Sequence, residues 1–168
     1  MSAFGVPIGV EYIPAAHCGP VRDGQRIDLV VIHTMEAPEK PGTARAVAHW
    51  FAGPSAPQAS AHYVIDAEET LMCVKENVVA WAAPGANRRG IHVEHAGYAG
   101  QSPVDWADAY SIQMLARSAE LVFDICAPHE IPFQKLSVED LKNGHRGLCG
   151  HVDRNIQDGF EWLSNGFV

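Results

Sequence analysis

Chemistry-bearing residues stand at the end of a strongly apolar segment, where residues 29–32 (LVVI) are followed directly by His33. A run without polar alternation is typical of a strand covered on both faces, as in the centre of an α/β sheet. A histidine that ends such a strand would lie at the rim of the sheet on a rigid support. The chain has nine histidines, and imidazole suits both zinc ligation and proton transfer near neutral pH. The sequence therefore makes His33 a candidate for function, beside the alternative of a structural histidine.

A second candidate lies in residues 90–96 (GIHVEHA), which alternate as a strand does. Ile91, Val93 and His95 are expected to point to one face of this strand. His92 and Glu94 are expected to point to the other face. Glu94 would then be directed away from the apolar core, as a carboxylate working in a cleft must be.

The alternation of patterns predicts how these residues are held. Residues 1–27 contain several prolines and glycines and are expected to form an irregular segment packed on a single domain of residues 1–168. Strands are predicted over 28–33, 61–66, 70–75, 90–96 and 147–153, the second and third of them forming a hairpin. Helices are predicted over 43–52, 107–127 and 137–143, with a last helical turn near 155–163. The interleaving predicts an α/β fold with a mixed central β-sheet flanked by helices.

Helix ends and faces follow from particular residues. Thr43 is the expected N-cap of the first helix and Gly53 its stop, while Ser137 is expected to cap the short one. Pro128 and Pro132 are expected to end the long helix. Its apolar stripe is expected to contain the following residues: Tyr110, Met114, Leu115, Leu121, Val122 and Ile125.

Composition limits the class of function. The 168 residues are 47% hydrophobic and 19% charged, which is the balance of a globular protein. A net charge of −8 without a basic cluster argues against nucleic acid as the main partner. No apolar run approaches the length of a membrane span. The first residues lack a basic leader, which predicts synthesis in a cytoplasm without a signal peptide.

Four stretches together resemble a known family: VVIHTME, SAHYVID, NRRGIHVEHAG and GLCGHVD…QDGFEW. Their order and spacing are similar to the zinc-dependent N-acetylmuramoyl-L-alanine amidases of the type-2 amidase family, which includes phage endolysins and peptidoglycan recognition proteins. The resemblance extends over about residues 26–163. The stretches AWAAPGAN, VEHAGYA and GHVD are most similar to amidase domains of phages that infect actinobacteria. The resemblance implies the type-2 amidase fold.

The resemblance also implies a site. His33 and His151 match the first two ligands of one zinc ion per chain, and Asp158 matches the third. Glu94 matches the catalytic glutamate, which would take a proton from water and pass it to the leaving amine. Cys149 and Asp153 remain alternatives for the third ligand, and His145 is a rival for His151.

The resemblance specifies the substrate contacts and the second electrophile less completely. Segments that border the sugar–peptide groove in relatives contain Trp81, Asn87 and Tyr98. Relatives place a lysine or a tyrosine near the reacting carbonyl, but Ile156 and Ala61 occupy those positions here. Zinc alone is one way to supply this role, and the other candidate donors are Arg154, Gln157 and His62.

The function implied is hydrolysis of the amide bond between N-acetylmuramic acid and L-alanine in peptidoglycan, by a monomeric phage endolysin. Such an enzyme is made in the host cytoplasm and acts on the cell wall after release by a holin. One alternative is a non-catalytic peptidoglycan-binding module of the same fold, which would lack the third ligand. A second is a cysteine hydrolase that uses Cys149 with His151 or His145, although four widely spaced cysteines in a cytoplasmic protein are more typical of buried thiols.

Overall fold

A mixed six-stranded β-sheet organises the structure, a computed structural model that describes residue 7 and residues 9–151. The strands are β1 (Glu11–Tyr12), β2 (Leu29–Thr34), β3 (Tyr63–Ile65), β4 (Thr70–Met72), β5 (Gly90–His95) and β6 (Gly147–Gly150). Their order in the sheet is β1-β4-β3-β5-β2-β6. The β3–β4 hairpin is antiparallel, and the other neighbouring strands are parallel. The predicted α/β fold with a mixed central sheet is confirmed.

Helices cover both faces of the sheet. They are α1 (Thr43–Ala52), α2 (Ala109–His129) and α3 (Val138–Lys142), with a short 3₁₀ helix at Asp105–Ala107. On one face, α2 packs on the alternating apolar residues of β2 and β5. On the other face, α1 packs on the β3–β4 hairpin, and α3 packs beside β2 and β6. Strand β2 therefore buries apolar side chains on both sides, Val30 on one face and Leu29 and Val31 on the other, which accounts for its unbroken LVVI run.

The prediction that Thr43 is the N-cap of α1 is wrong. Gly42 is the N-cap, in a left-handed conformation with φ 81°, and Thr43 is already helical. The Thr43 hydroxyl donates to the Pro38 carbonyl instead. A buried carboxylate from the hairpin caps the helix, since Asp66 Oδ2 accepts from the Ala44 N–H at 3.1 Å. The expected stop at Gly53 is confirmed.

The long helix also differs from its prediction. Helix α2 continues through Pro128 to His129, so the proline lies one residue before the end of the helix instead of ending it. Leu115 was placed on the apolar stripe, but it is 42% exposed. Ser111 and Ser118 are buried at the helix face that packs on the sheet. Small hydroxyl side chains with hydrogen-bond partners thus replace apolar residues along that face.

The remaining predictions fall close to the observed elements. Residues 1–27 were expected to be irregular, and β1 is a two-residue exception that pairs with β4. Ser137 caps α3, with a reciprocal hydrogen bond from its own N–H to the Asp140 carboxylate. Among the described residues, no helix has the length and apolarity needed to cross a membrane. The helical turn expected near 155–163 lies outside the described residues.

Candidate active site

Two neighbouring parallel strands place a histidine and a glutamate side by side. His33 on β2 and Glu94 on β5 are register partners, and residues at the same level of adjacent strands project from the same face of a sheet. Glu94 belongs to the set that alternates with the core residues Ile91 and Val93, as the sequence predicted. Both side chains line one cleft at the ends of their strands.

The third strand of this group adds a second histidine. Strand β6 runs parallel to β2 on its other side and ends at Gly150. The N–H of His151 donates to the Ile32 carbonyl at 2.9 Å, which continues the pairing for one more residue. As a result, His33 Nδ1 and His151 Nδ1 lie 3.0 Å apart. Two residues separated by 118 positions in the chain therefore meet at one end of the sheet.

The separation of this histidine pair is a hydrogen-bond distance and is also compatible with two ligands on one metal ion. Two nitrogens bound to a tetrahedral zinc at about 2.0–2.1 Å lie about 3.3 Å from each other, close to the observed separation. Within residues 9–151, no cluster of three or more metal-ligating side chains is formed. Asp158, the expected third ligand, lies outside the described residues, as do Asp153, Arg154, Ile156 and Gln157. The described donors fit two positions of a zinc site.

Both ligand candidates are held in the form that binds metals. Burial, followed by the neighbouring imidazoles of His92, His151 and His95, holds the pKa of His33 well below its usual range. Burial also lowers the pKa of His151. A neutral imidazole has a free ring nitrogen, so both side chains are ready to coordinate a cation near pH 7.

Glu94 occupies an unusual environment for a carboxylate. Its Oε2 atom is buried and accepts no hydrogen bond from the described residues. Burial raises the pKa of Glu94 to about 8, and the nearby Glu36 carboxylate contributes to the rise. Buried carboxylates with raised pKa values next to a cleft are typical of groups that exchange protons. A cation bound beside Glu94 would favour its ionised form.

The cleft is large enough for a glycopeptide segment, with a volume of about 540 Å³. It is lined by His33, Glu94 and His151. Its other lining residues are mainly apolar and come from α1 and from the loops that follow β2, precede β3, precede β5 and follow β5. They include Met35, Val47, Trp50, Phe51, Ala59, Trp81, Ala82 and Ala99.

The predicted substrate-contacting residues do not all reach this cleft. Trp81 lines it and is held by a pair of hydrogen bonds with Ser60, one to the Ser60 hydroxyl and one from the Ser60 N–H. Asn87 stabilises its own loop, since its side-chain oxygen accepts hydrogen bonds from two backbone N–H groups. Tyr98 is exposed next to the cleft residue Ala99. His62 is fully buried and lies beneath the site, so it makes no surface available to a substrate.

The two alternative candidates that the structure describes, Cys149 and His145, do not line the cleft. Cys149 packs in a buried apolar cluster with Leu29, Val31 and Leu136, and it does not line the cleft. His145 precedes β6 and bonds to Asp140 at 3.0 Å, which puts it at the opposite end of the strand from His151.

Trp50 and Glu36 line the cleft, although neither is a candidate from the sequence. Trp50 is 50% exposed at the rim, and the amphipathic pattern of α1 gave no reason to treat an outward aromatic residue as functional. Glu36 follows β2 in a left-handed conformation, with φ 51°, and accepts from the Thr34 hydroxyl and the Ala99 N–H. A left-handed glutamate is a backbone feature that composition does not reveal.

The fold is a mixed β-sheet flanked by helices, and solved structures share this fold. The hydrolase AmiA from Staphylococcus aureus, solved with its ligand, has a TM-score of 0.63 and 14% identity, and the match covers 90% of this chain and 69% of AmiA. AmpD has a TM-score of 0.60 and 16% identity, with 87% and 83% of the two chains covered. The amidase endolysin LysCS from Clostridium intestinale has a TM-score of 0.56 and 13% identity, with 96% and 90% covered.

The sequence then identifies the family. The chain belongs to the N-acetylmuramoyl-L-alanine amidase family, whose model matches residues 23–159. The protein is therefore a hydrolase of a family that acts on peptidoglycan and is generally zinc-dependent. A comparison with curated protein sequences finds no significant match.

Proposed function

We propose that this chain is a phage endolysin that hydrolyses the amide bond between N-acetylmuramic acid and L-alanine of the peptidoglycan stem peptide. The observation that carries the proposal is the pair of Nδ1 atoms of His33 and His151, 3.0 Å apart, in the cleft that half-buried Glu94 also lines. His33, His151 and Asp158 would hold one zinc ion. Zinc, when bound, supplies a Lewis acid that polarises the carbonyl and lowers the pKa of water to about 7.

Glu94 carries the proton chemistry in this proposal. Its carboxylate accepts a proton from the water that attacks the carbonyl carbon of the lactyl–alanine amide. The same group then delivers the proton to the nitrogen of L-alanine as the C–N bond breaks. The lack of a hydrogen-bond partner for Oε2 within residues 9–151 leaves that atom available for this exchange.

The walls of the cleft position the substrate. Trp50 and Trp81 come from opposite elements, α1 and the loop before β5, and both line the cleft. Aromatic faces of this kind suit sugar rings and the apolar parts of a stem peptide. The mainly apolar walls also exclude water from the reacting bond, which strengthens the electrostatic interactions of Glu94.

The endolysin role rests on motif resemblance and on structural neighbours. One neighbour is described as an endolysin from Bacillus subtilis, and LysCS is described as an endolysin amidase. In this role the enzyme reaches the cell wall when a holin permeabilises the membrane. Expression in a bacterial cytoplasm should leave cells intact until the membrane is permeabilised, and lysis should then follow rapidly.

The chemical test is mass spectrometry of purified peptidoglycan after digestion. We expect free peptides that begin with L-alanine, glycan strands without new reducing ends, and loss of both products after chelation, with recovery when zinc is restored. New reducing ends would identify a glycosidase. Sedimentation of the protein with peptidoglycan without peptide release would identify the binding module.

A further inference from the structure

Three buried histidines contact one another in a row beneath the cleft, and the rings of His33 and His92 are tilted by 49°. His33 Nε2 lies 3.0 Å from His92 Nδ1. His62 Nδ1 lies 3.0 Å from the backbone nitrogen of His92. The rings of His62 and His92 are nearly parallel, at 18°, with centroids 5.6 Å apart. We refer to His33, His92 and His62 as the histidine stack.

The positions of the ring protons in the lower part of the stack follow from its partners. A backbone N–H can only donate, so His62 Nδ1 must accept from His92. The proton of neutral His62 is then on Nε2, where it donates to the Val78 carbonyl at 3.0 Å. This bond fixes the His62 ring, and through it the middle of β5.

The upper part of the stack is fixed by the metal role proposed for His33. If His33 Nδ1 binds zinc, its ring proton is on Nε2, since a neutral imidazole carries one proton. His33 Nε2 then donates to His92 Nδ1, and His92 must carry its own proton on Nε2. That nitrogen is buried with no hydrogen-bond partner in the described part of the chain. The structure thus leaves one nitrogen of His92 unsatisfied while the other contacts His33.

The strand that carries His92 is anchored from below. The buried guanidinium of Arg22 donates to the carbonyls of Gly90 and Glu76. Gly90 is the first residue of β5, so this anchor and His62 hold the strand at two levels. The ring of His92 therefore meets His33 from a rigid support.

We propose that His92 is a positioning residue, which fixes the ring orientation and tautomer of His33 so that Nδ1 faces the metal and His151. The inference rests on the proposed function, because it takes His33 as a zinc ligand. Partners that accept a hydrogen bond from a metal-bound histidine commonly raise metal affinity by about 10- to 100-fold. In this protein, the imidazole of His92 is the partner that accepts this hydrogen bond.

The test compares two substitutions of similar size, His92→Leu and His92→Asn. Leucine removes the acceptor and also removes the unsatisfied N–H. Asparagine keeps an acceptor oxygen close to the position of Nδ1. Zinc affinity is measured by competition with a chromophoric chelator, and thermal unfolding is measured on the metal-free proteins.

We expect His92→Leu to bind zinc about 10- to 100-fold more weakly, while its metal-free form unfolds at the wild-type temperature or above it. His92→Asn should recover most of the affinity. In the zinc-loaded wild type, nitrogen-15 NMR should find the His33 proton on Nε2. A role in packing alone would give the opposite pattern, with both variants less stable and equally affected in zinc binding.

The outcomes separate this inference from the proposed function. If the wild type binds zinc, His33→Ala abolishes binding and His92→Leu binds as the wild type does, the positioning role is wrong and the zinc site stands. If the wild type binds no zinc, the metal site fails and the positioning role fails with it. A zinc-loaded His33 with its proton on Nδ1 would also overturn the inference.

Discussion

His33 and Glu94 are register partners on adjacent parallel strands, and they line the same cleft. Neither position depends on a loop, since β2 and β5 are buried on both faces and pair along six residues each. A candidate ligand and a candidate proton-exchanging group are thus held at a separation set by the spacing of the strands. His151 joins them from the other neighbour of β2.

The first prediction concerns the role of Glu94 in turnover. Glu94→Gln keeps the size of the side chain but cannot accept a proton, so peptide release should fall about 100-fold or more. Zinc content should stay near one per chain, because Glu94 is not among the proposed ligands. Turnover and bound metal are measured on the same preparation. Near-normal turnover with full zinc content would exclude Glu94 as the general base.

The second prediction concerns the stability of the metal-free protein. The pKa of Glu94 is raised to about 8 in the folded state, against about 4.3 in an unfolded chain. Between these values the folded state binds more protons, so this group makes stability fall as the pH rises from about 5 to about 8. At a pH above both pKa values, the contribution of Glu94 to the stability of the folded state is lost completely.

Glu94→Gln removes this titration, so the variant should gain stability over the wild type as the pH rises. The two proteins share every other titrating group, and the difference in their unfolding temperatures therefore isolates Glu94. Chelator must be present, because a cation would favour the carboxylate. A difference that is constant from pH 5 to pH 9 would mean that Glu94 is not held in a pKa-raising environment.

The sheet could be predicted from the sequence because its strands carry strong local signals. The LVVI run marked β2, and the alternation of residues 90–96 correctly separated Glu94 from Ile91 and Val93. The helix face of α2 was less predictable. Apolarity suggested Leu115 as a core residue, but Leu115 is exposed, whereas Ser111 and Ser118 are buried.

The site could be predicted only in part because it is assembled from distant segments. Spacing along the chain does not show that His33 and His92 bond to each other, nor that Asp66 caps α1 from another element. The position of His62 could not be predicted from the sequence either. Its motif suggested a substrate contact, but burial makes it a support for β5.

The third prediction concerns the cleft wall. Trp50→Ala should raise KM about two- to twelvefold, the scale of about 0.5–1.5 kcal/mol for an aromatic contact, with little change in kcat. Trp50 is 50% exposed, so stability should change little. The matched control is Phe123→Ala, another exposed aromatic residue, which lies on α2 outside the cleft.

These two variants decide between a substrate contact and a general effect of exposed aromatic residues. Phe123→Ala should leave KM unchanged. Equal changes in both variants, or a fall in kcat alone for Trp50→Ala, would remove Trp50 from the binding surface. Steady-state kinetics on a soluble muramyl peptide give both constants.

The fourth prediction concerns the third zinc ligand. Asp158→Ala should lower zinc affinity sharply, because removal of one of three ligands leaves only the His33–His151 pair. Asp158→Cys should restore much of the affinity, since thiolate is also a good zinc ligand. Equilibrium dialysis or chelator competition measures both variants.

Cys149→Ser is the contrasting variant. Cys149 lies two residues before His151, which separates them by about 6.5–7 Å along an extended chain, and it packs among Leu29, Val31 and Leu136. Its substitution should lower thermal stability, because a hydroxyl enters an apolar cluster. Zinc affinity should stay close to that of the wild type. Strong loss of zinc in Cys149→Ser together with full binding in Asp158→Ala would assign the third position to the thiolate, and the match of residues 152–168 to the family motif would then be wrong.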